Sequence, residues 1–139
     1  MKDKVFIDSN IFIYAFLEGT ENNEKRLKTI QFLQSLEDKT IVVSTQVLGE
    51  IYNTLNHKYK IKREDVIKKL DILSETALVK PLTIDTVKKC WDITLKHNYS
   101  YYDSLILASA IEHGCSFIYT EDMKNEHIVE NSKILNPYI

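Results

Sequence analysis

Asp8, Glu50, Asp103, Glu121 and Asp122 are spread over the whole chain, yet each falls next to an apolar run that reads as a strand or a buried helix. In "VFIDSNIFIYAF", Asp8 joins an apolar strand to an apolar helix, and Glu121 and Asp122 directly follow "SFIYT". Each acid has a plain structural explanation: Asp8 and Asp103 as helix caps, Glu50 as a solvated helix position, Asp122 as a turn residue. Glu50 fits that explanation least, because it neighbours Ile51 and lies three residues beyond Val47, on an apolar stripe where a carboxylate needs a partner. Carboxylates brought to one place repel one another, and either their pKa values rise or a cation relieves the strain. Hard oxygen donors without a Cys or His cluster suit Mg2+ or Mn2+, ions that bind phosphate oxygens and activate water. The chemistry indicated is therefore that of phosphodiester bonds.

The elements that must position these acids alternate along the chain. Strands are expected at Lys4 to Ile7, in "TIVVS", in "ALVKP" and in "SFIYT", with a short fifth at an edge in "KILNPYI". Between them lie "IFIYAFLE", a stretch from Glu24 to Leu36 with Leu27, Ile30, Leu33 and Leu36 at every third position, "TQVLGEIYNTLNHKY" and "KREDVIKKLDILSE". All four have helical periodicity. Thr83 caps "IDTVKKCWDITLKHN", and "DSLILASAIEHG", apolar nearly all round, reads as a buried helix opened by Asp103 and closed by Gly114. Strands separated by helices need crossover connections. The expected fold is therefore α/β, with a mostly parallel central sheet of about four to five strands and helices on both faces. In such sheets sites form beyond the C-terminal ends of the strands, which is where the acids fall.

With 139 residues, 44% of them hydrophobic, three glycines and two prolines, nothing marks a linker, and residues 1–139 are read as one domain. A formal net charge of −2 excludes a general nucleic-acid coat, so any RNA contact is local. "HKYKIKR", from His57 to Arg63, is the one dense basic run and carries an aromatic residue; Arg26 and Arg63 are the only arginines. Cys90 and Cys115 are too few for a disulfide framework, and no long apolar segment or basic leader is present. These features are read as a soluble, cytoplasmic protein.

The segments "VFIDSNIFIYAF", "STQVLGEIYNTL", "YYDSLILASA" and "IYTEDM" resemble, in order and spacing, the four acidic motifs of PIN-domain ribonucleases. The ending "TEDM…ILNPY" is similar to that of the prokaryotic VapC-type toxins. By position, the resemblance implies that Asp8, Glu50, Asp103 and Asp122 form a metal-binding quartet. Asp8 and Asp103 would be direct ligands, and Glu50 and Asp122 would hold the attacking water or a second ion. Asn10 and Thr120 would orient the carboxylates, and Glu121 ranks below Asp122 because the family pattern is Thr-x-Asp. Ser9 stands where Thr is frequent, a neutral departure. The implied activity is a Mg2+- or Mn2+-dependent endoribonuclease, the toxin of a toxin–antitoxin pair, with a homodimer and a small antitoxin protein as partners.

Other readings start from other residues. His57, His97, His113 and His127 would be needed for a metal-free ribonuclease, but none lies in a motif, and His97 and His113 sit at helix ends. A receiver domain would need adjacent acids after the first strand and an Asp after the third, where Ser9, Asn10 and Lys80 stand instead. Trp91, at helical spacing from Val87 and Leu95, is read as core rather than a stacking platform. A PIN-fold RNA-processing nuclease without an antitoxin, or a non-catalytic binding module of the same fold, completes the alternatives.

Overall fold

In the computed structural model, which describes residues 2–19 and 23–139, the elements run β1 (Lys4–Ile7), α1 (Ser9–Phe16), α2 (Asn23–Gln34), β2 (Thr40–Ser44) and α3 (Thr45–Asn53). A single π turn, Thr54–Lys58, follows α3, and then come α4 (Arg63–Thr76), β3 (Leu78–Lys80), α5 (Ile84–Lys96), α6 (Tyr101–Glu112) and β4 (Phe117–Tyr119). The chain closes with β5 (Ile128–Val129) and β6 (Ser132–Leu135).

The strand order is β3-β2-β1-β4-β6-β5. All pairs are parallel except β5 with β6. β1 is the centre of this sheet, and Val5, Phe6 and Ile7 are each fully buried, as a strand covered on both faces requires. Because β2 and β3 are added on one side of β1 and β4 on the other, right-handed crossovers send the two groups of helices to opposite faces. Consistent with this, α1 packs on α2 and α3, and α3 on α4, while α5 and α6 pack on each other. The order reverses between β1 and β4, and the crevice beyond their C-terminal ends is the topological switch point of the sheet.

Several expectations are corrected. "KILN" is not an edge strand: β6 pairs with β4, and the two-residue β5 covers its other side. Asp103 does not open α6; Ser100 is the cap, its hydroxyl accepting from the Asp103 N–H at 3.2 Å, so Asp103 sits in the first turn. Trp91 is not core. It is 52% exposed and Leu95 87%, because the capping box of Thr83 and Thr86 turns Thr86, Cys90 and Ile93 inward instead. Leu27 likewise lies on the open side of α2, whose fully buried residue is Thr29. Gly114, at φ +70°, closes α6 as expected, with the Cys115 N–H reaching back to the Ala110 carbonyl at 3.0 Å. Among the described residues no helix is long and apolar enough to cross a membrane.

Candidate active site

Asp8 ends β1 and caps α1. Its Oδ1 accepts the Ser9 N–H at 2.7 Å, satisfying a donor that the helix start would leave open. The other oxygen, Oδ2, accepts the Thr120 hydroxyl at 2.8 Å across the switch point, and Thr120 is wholly buried. The backbone fixes the pair, since the Asp8 N–H donates to the Tyr119 carbonyl at 3.0 Å and the Thr120 N–H to Leu135 at 3.0 Å. One Asp8 oxygen thus meets the capping explanation, and the other reaches across the switch point to Thr120.

Two residues further on, the Asp122 N–H donates to Thr120 Oγ1 at 3.2 Å, and Asp122 Oδ2 accepts from Asn10 Nδ2 at 2.7 Å. Asn10 thus donates to Asp122, and Thr120 to Asp8. Glu50 projects from α3, and Asp103 from the first turn of α6. Gln46 ties these helices, its Nε2 donating to the Tyr102 carbonyl at 3.1 Å. Glu121 faces elsewhere: its carboxylate accepts from the Tyr14 hydroxyl and, at 2.8 Å, from Lys25 Nζ, which also lies over the Tyr14 and Tyr138 rings.

The four acids feel one another. Burial raises the Asp8 pKa to about 6, against the pull of Thr120 and Ser9 and with a push from Asp122 and Asp103. Glu50 is raised to about 7, first by burial and then by Asp8, while Ser9 and Gln46 pull it down and Asp103 adds to the rise. Asp103 is also raised, by burial and by Asp122. Acids from four segments thus share one crevice whose charge has no cation of the protein to balance it within hydrogen-bond reach of Asp8, Glu50 or Asp103, among the described residues.

A hard divalent ion fits this donor set. Two buried oxygens, Asn10 Oδ1 and Glu50 Oε1, have no hydrogen-bond partner, and such atoms are costly unless something ligates them. As placed, no three acidic, His or Cys side chains among the described residues close on one point. Mg2+ does not ask for that, since it usually keeps several waters and takes one or two protein carboxylates.

The histidines occupy other places. His57 lies exposed in the π turn, and His113 closes α6, its pKa lowered by burial. His97 ends α5 and stands 5.3 Å, ring to ring, from His127. That pair was not foreseen, because 30 residues of chain separate its members and only the loop after β4 brings them together. The basic run from His57 to Arg63 forms the exposed turn before α4 and touches none of the acids by any hydrogen bond or ion pair among the described residues.

A mostly parallel α/β sheet with acids gathered at its switch point defines the class. A family model described as the PIN domain matches residues 5–130, and the chain belongs to that family. Solved structures agree in fold. VapC20 of Mycobacterium tuberculosis, described as a sarcin–ricin loop cleaving toxin, superposes with a TM-score of 0.68 and 20% identity over 85% of this chain and 89% of that one. VapBC2 of Rickettsia felis, bound to a promoter DNA fragment, gives a TM-score of 0.71 at 19% identity, covering 96% of this chain and 98% of that one. A toxin–antitoxin complex from Klebsiella pneumoniae gives 0.70 at 18%, with 96% and 98% covered. No curated protein matches the chain in sequence.

Proposed function

We propose that the protein is a Mg2+- or Mn2+-dependent endoribonuclease, the toxin of a toxin–antitoxin pair, with Asp8, Glu50, Asp103 and Asp122 as its acidic quartet. The observation that carries this reading is the convergence of four carboxylates at one switch point, with Asp8 and Glu50 pushed up to about 6 and about 7, first by burial and further by the neighbouring acids. Family membership and the fold shared with VapC-type toxins support it.

Asp8 and Asp103 would hold the ion, with Glu50 and Asp122 toward the water and the bound strand. The ion, when bound, supplies charge to offset that developing on the phosphate and lowers the pKa of water. Thr120 and Asn10 keep Asp8 and Asp122 from turning away. Glu50, with Oε1 unpartnered, would take the proton from the attacking water. Water oxygen would then bond to phosphorus as the bond from phosphorus to the 3′ oxygen breaks, solvent water would protonate the leaving 3′ oxygen, and the products would carry a 5′-phosphate and a 3′-OH.

The test is cleavage of a structured RNA with Mg2+ and with EDTA, followed by end-group analysis. Activity lost in EDTA and 3′ fragments that polynucleotide kinase cannot label without prior phosphatase are expected. Full cleavage in EDTA with readily labelled 5′-OH ends would overturn the proposal in favour of the histidines, of which His97 and His127 are the pair close enough to act together. A fold shared with toxin–antitoxin complexes from Klebsiella pneumoniae and Haemophilus influenzae supports an antitoxin as the partner, and a homodimer is proposed with it.

A further inference from the structure

Next to the acids, Asn98, Tyr99, Lys124 and His127 line a cavity of about 260 Å3. The Tyr99 hydroxyl and His127 Nδ1 share a hydrogen bond of 2.6 Å, which ties the connection between α5 and α6 to the loop after β4. These two segments carry Asp103 and Asp122: Tyr99 lies four residues before the first, and Lys124 two residues after the second. Asp103 is close enough for its charge to bear on the Tyr99 hydroxyl. The cavity and the acidic crevice are therefore neighbours along one surface.

Its chemistry is opposite in sign to that of the crevice. Lys124 is exposed and has no carboxylate within 4.0 Å among the described residues, whereas Lys25 and Lys89 are each ion-paired. The His127 ring is flanked by the Tyr99 ring, 5.7 Å away at 33°, and by the His97 ring. When the Tyr99 hydroxyl is the donor to Nδ1, the ring proton lies on Nε2, which is then a donor, and the Asn98 amide adds another. An ammonium, an imidazole N–H and an amide beside aromatic faces form a set of donors for an anion carried by a nucleotide. A strand whose cut phosphate lies among acids must be held by cations acting on its neighbours, and this chain has two arginines to spend on that task.

We infer that this cavity binds a backbone phosphate of the RNA adjacent to the bond that is cut, with Lys124 and His127 as donors and Tyr99 positioning His127. The inference rests on the nuclease reading above. It is tested by binding in EDTA, where no metal-dependent turnover occurs, using a short fluorescein-labelled single-stranded RNA and fluorescence anisotropy across a series of salt concentrations. Lys124→Ala should raise Kd several-fold and reduce the log–log salt slope by about 0.7, the loss of one phosphate contact. Lys124→Arg should restore both. Tyr99→Phe should weaken binding less than His127→Ala, and in Mg2+ Lys124→Ala, His127→Ala and Tyr99→Phe should raise KM with kcat nearly kept, while Lys124→Arg should not. Thermal melts of each variant separate a lost contact from a lost fold.

Wild-type affinity and slope in Lys124→Ala and His127→Ala would overturn the inference, and if the wild type still cleaves RNA the nuclease reading survives it. Loss of binding in the variants, with no cleavage by the wild type in any divalent metal, would leave the site standing and remove the nuclease reading. Saturable binding of inorganic phosphate that disappears in Lys124→Ala while RNA affinity is unchanged would make this a site for free phosphate, and would equally overturn the assignment.

Discussion

The Thr120 hydroxyl donates to Asp8 Oδ2 at 2.8 Å, joining residues 112 positions apart at the one place where the sheet reverses its strand order. The bond is buried and Thr120 Oγ1 also accepts the Asp122 N–H, so one side chain holds two acids at once. Thr120→Val keeps the shape and removes the hydroxyl. It should destabilise the fold by about 1–3 kcal/mol, the cost of leaving buried polar partners unmade, and lower activity as Asp8 and Asp122 lose alignment. Thr120→Ser should be much milder on both counts. Chemical denaturation and initial rates of RNA cleavage check the pair, and equal losses in the two variants would refute the role given to the hydroxyl.

Stability of the metal-free protein should fall as pH rises, the reverse of the usual behaviour of carboxylates. Asp8 and Glu50 have folded pKa values of about 6 and about 7 against ordinary values of 3.8 and 4.5, so between about pH 4 and pH 7 the folded state holds more protons than the unfolded one. Their contribution is complete below the unfolded values and is lost as pH rises through the folded ones. For Asp8, 4% exposed, the shift corresponds to about 3 kcal/mol. In EDTA the melting temperature should be higher at pH 5 than at pH 8, and Mg2+ should raise it more at pH 8. A melting temperature that climbs steadily from pH 5 to pH 8 in EDTA would contradict this.

Asp103→Asn should abolish most cleavage, a fall of several orders of magnitude, with little change in folding. Asp103 lies in the first turn of α6, where a negative charge gains about 0.3–1 kcal/mol from the helix dipole, and its removal also relieves repulsion from Asp8, Glu50 and Asp122. The two effects oppose each other. A drop in melting temperature of many degrees with the residual activity intact would make Asp103 a structural residue instead.

Glu121 and Asp122 are adjacent in sequence and opposite in expected phenotype. Glu121→Gln should loosen the contacts with Lys25 and Tyr14, lowering the melting temperature while cleavage persists. Asp122→Asn should leave the melting temperature nearly level and cripple cleavage. Measured kcat/KM in the reverse order would show that Glu121 is the acid of the quartet.

Much of the fold was legible because its signals are local: three consecutive buried residues in β1, the apolar girth of α6 and the glycine that stops it. The acids could be gathered on one edge because each follows or faces such an element. What stayed hidden depends on neighbours. Trp91 and Leu95 share a stripe with Val87, but the cap at Thr83 and Thr86 sets the face of α5 that turns inward, and periodicity alone does not choose between stripes. β5 has two residues, too few for any pattern. The Tyr14–Lys25–Glu121 cluster and the His97–His127 pair join segments that no spacing relates, so nothing short of the folded chain reveals them.

The position of β1 between β2 and β4 also orders events in time. During synthesis Asp8 and Glu50 emerge before Asp103 and Asp122, and Thr120 cannot reach Asp8 until β4 has been laid against β1. A growing chain thus holds half of its acids, with Asp8 neither clamped by Thr120 nor crowded by Asp103 and Asp122. Whatever the completed cluster does, it is unable to begin before β4 and the loop after it have been made and laid against β1.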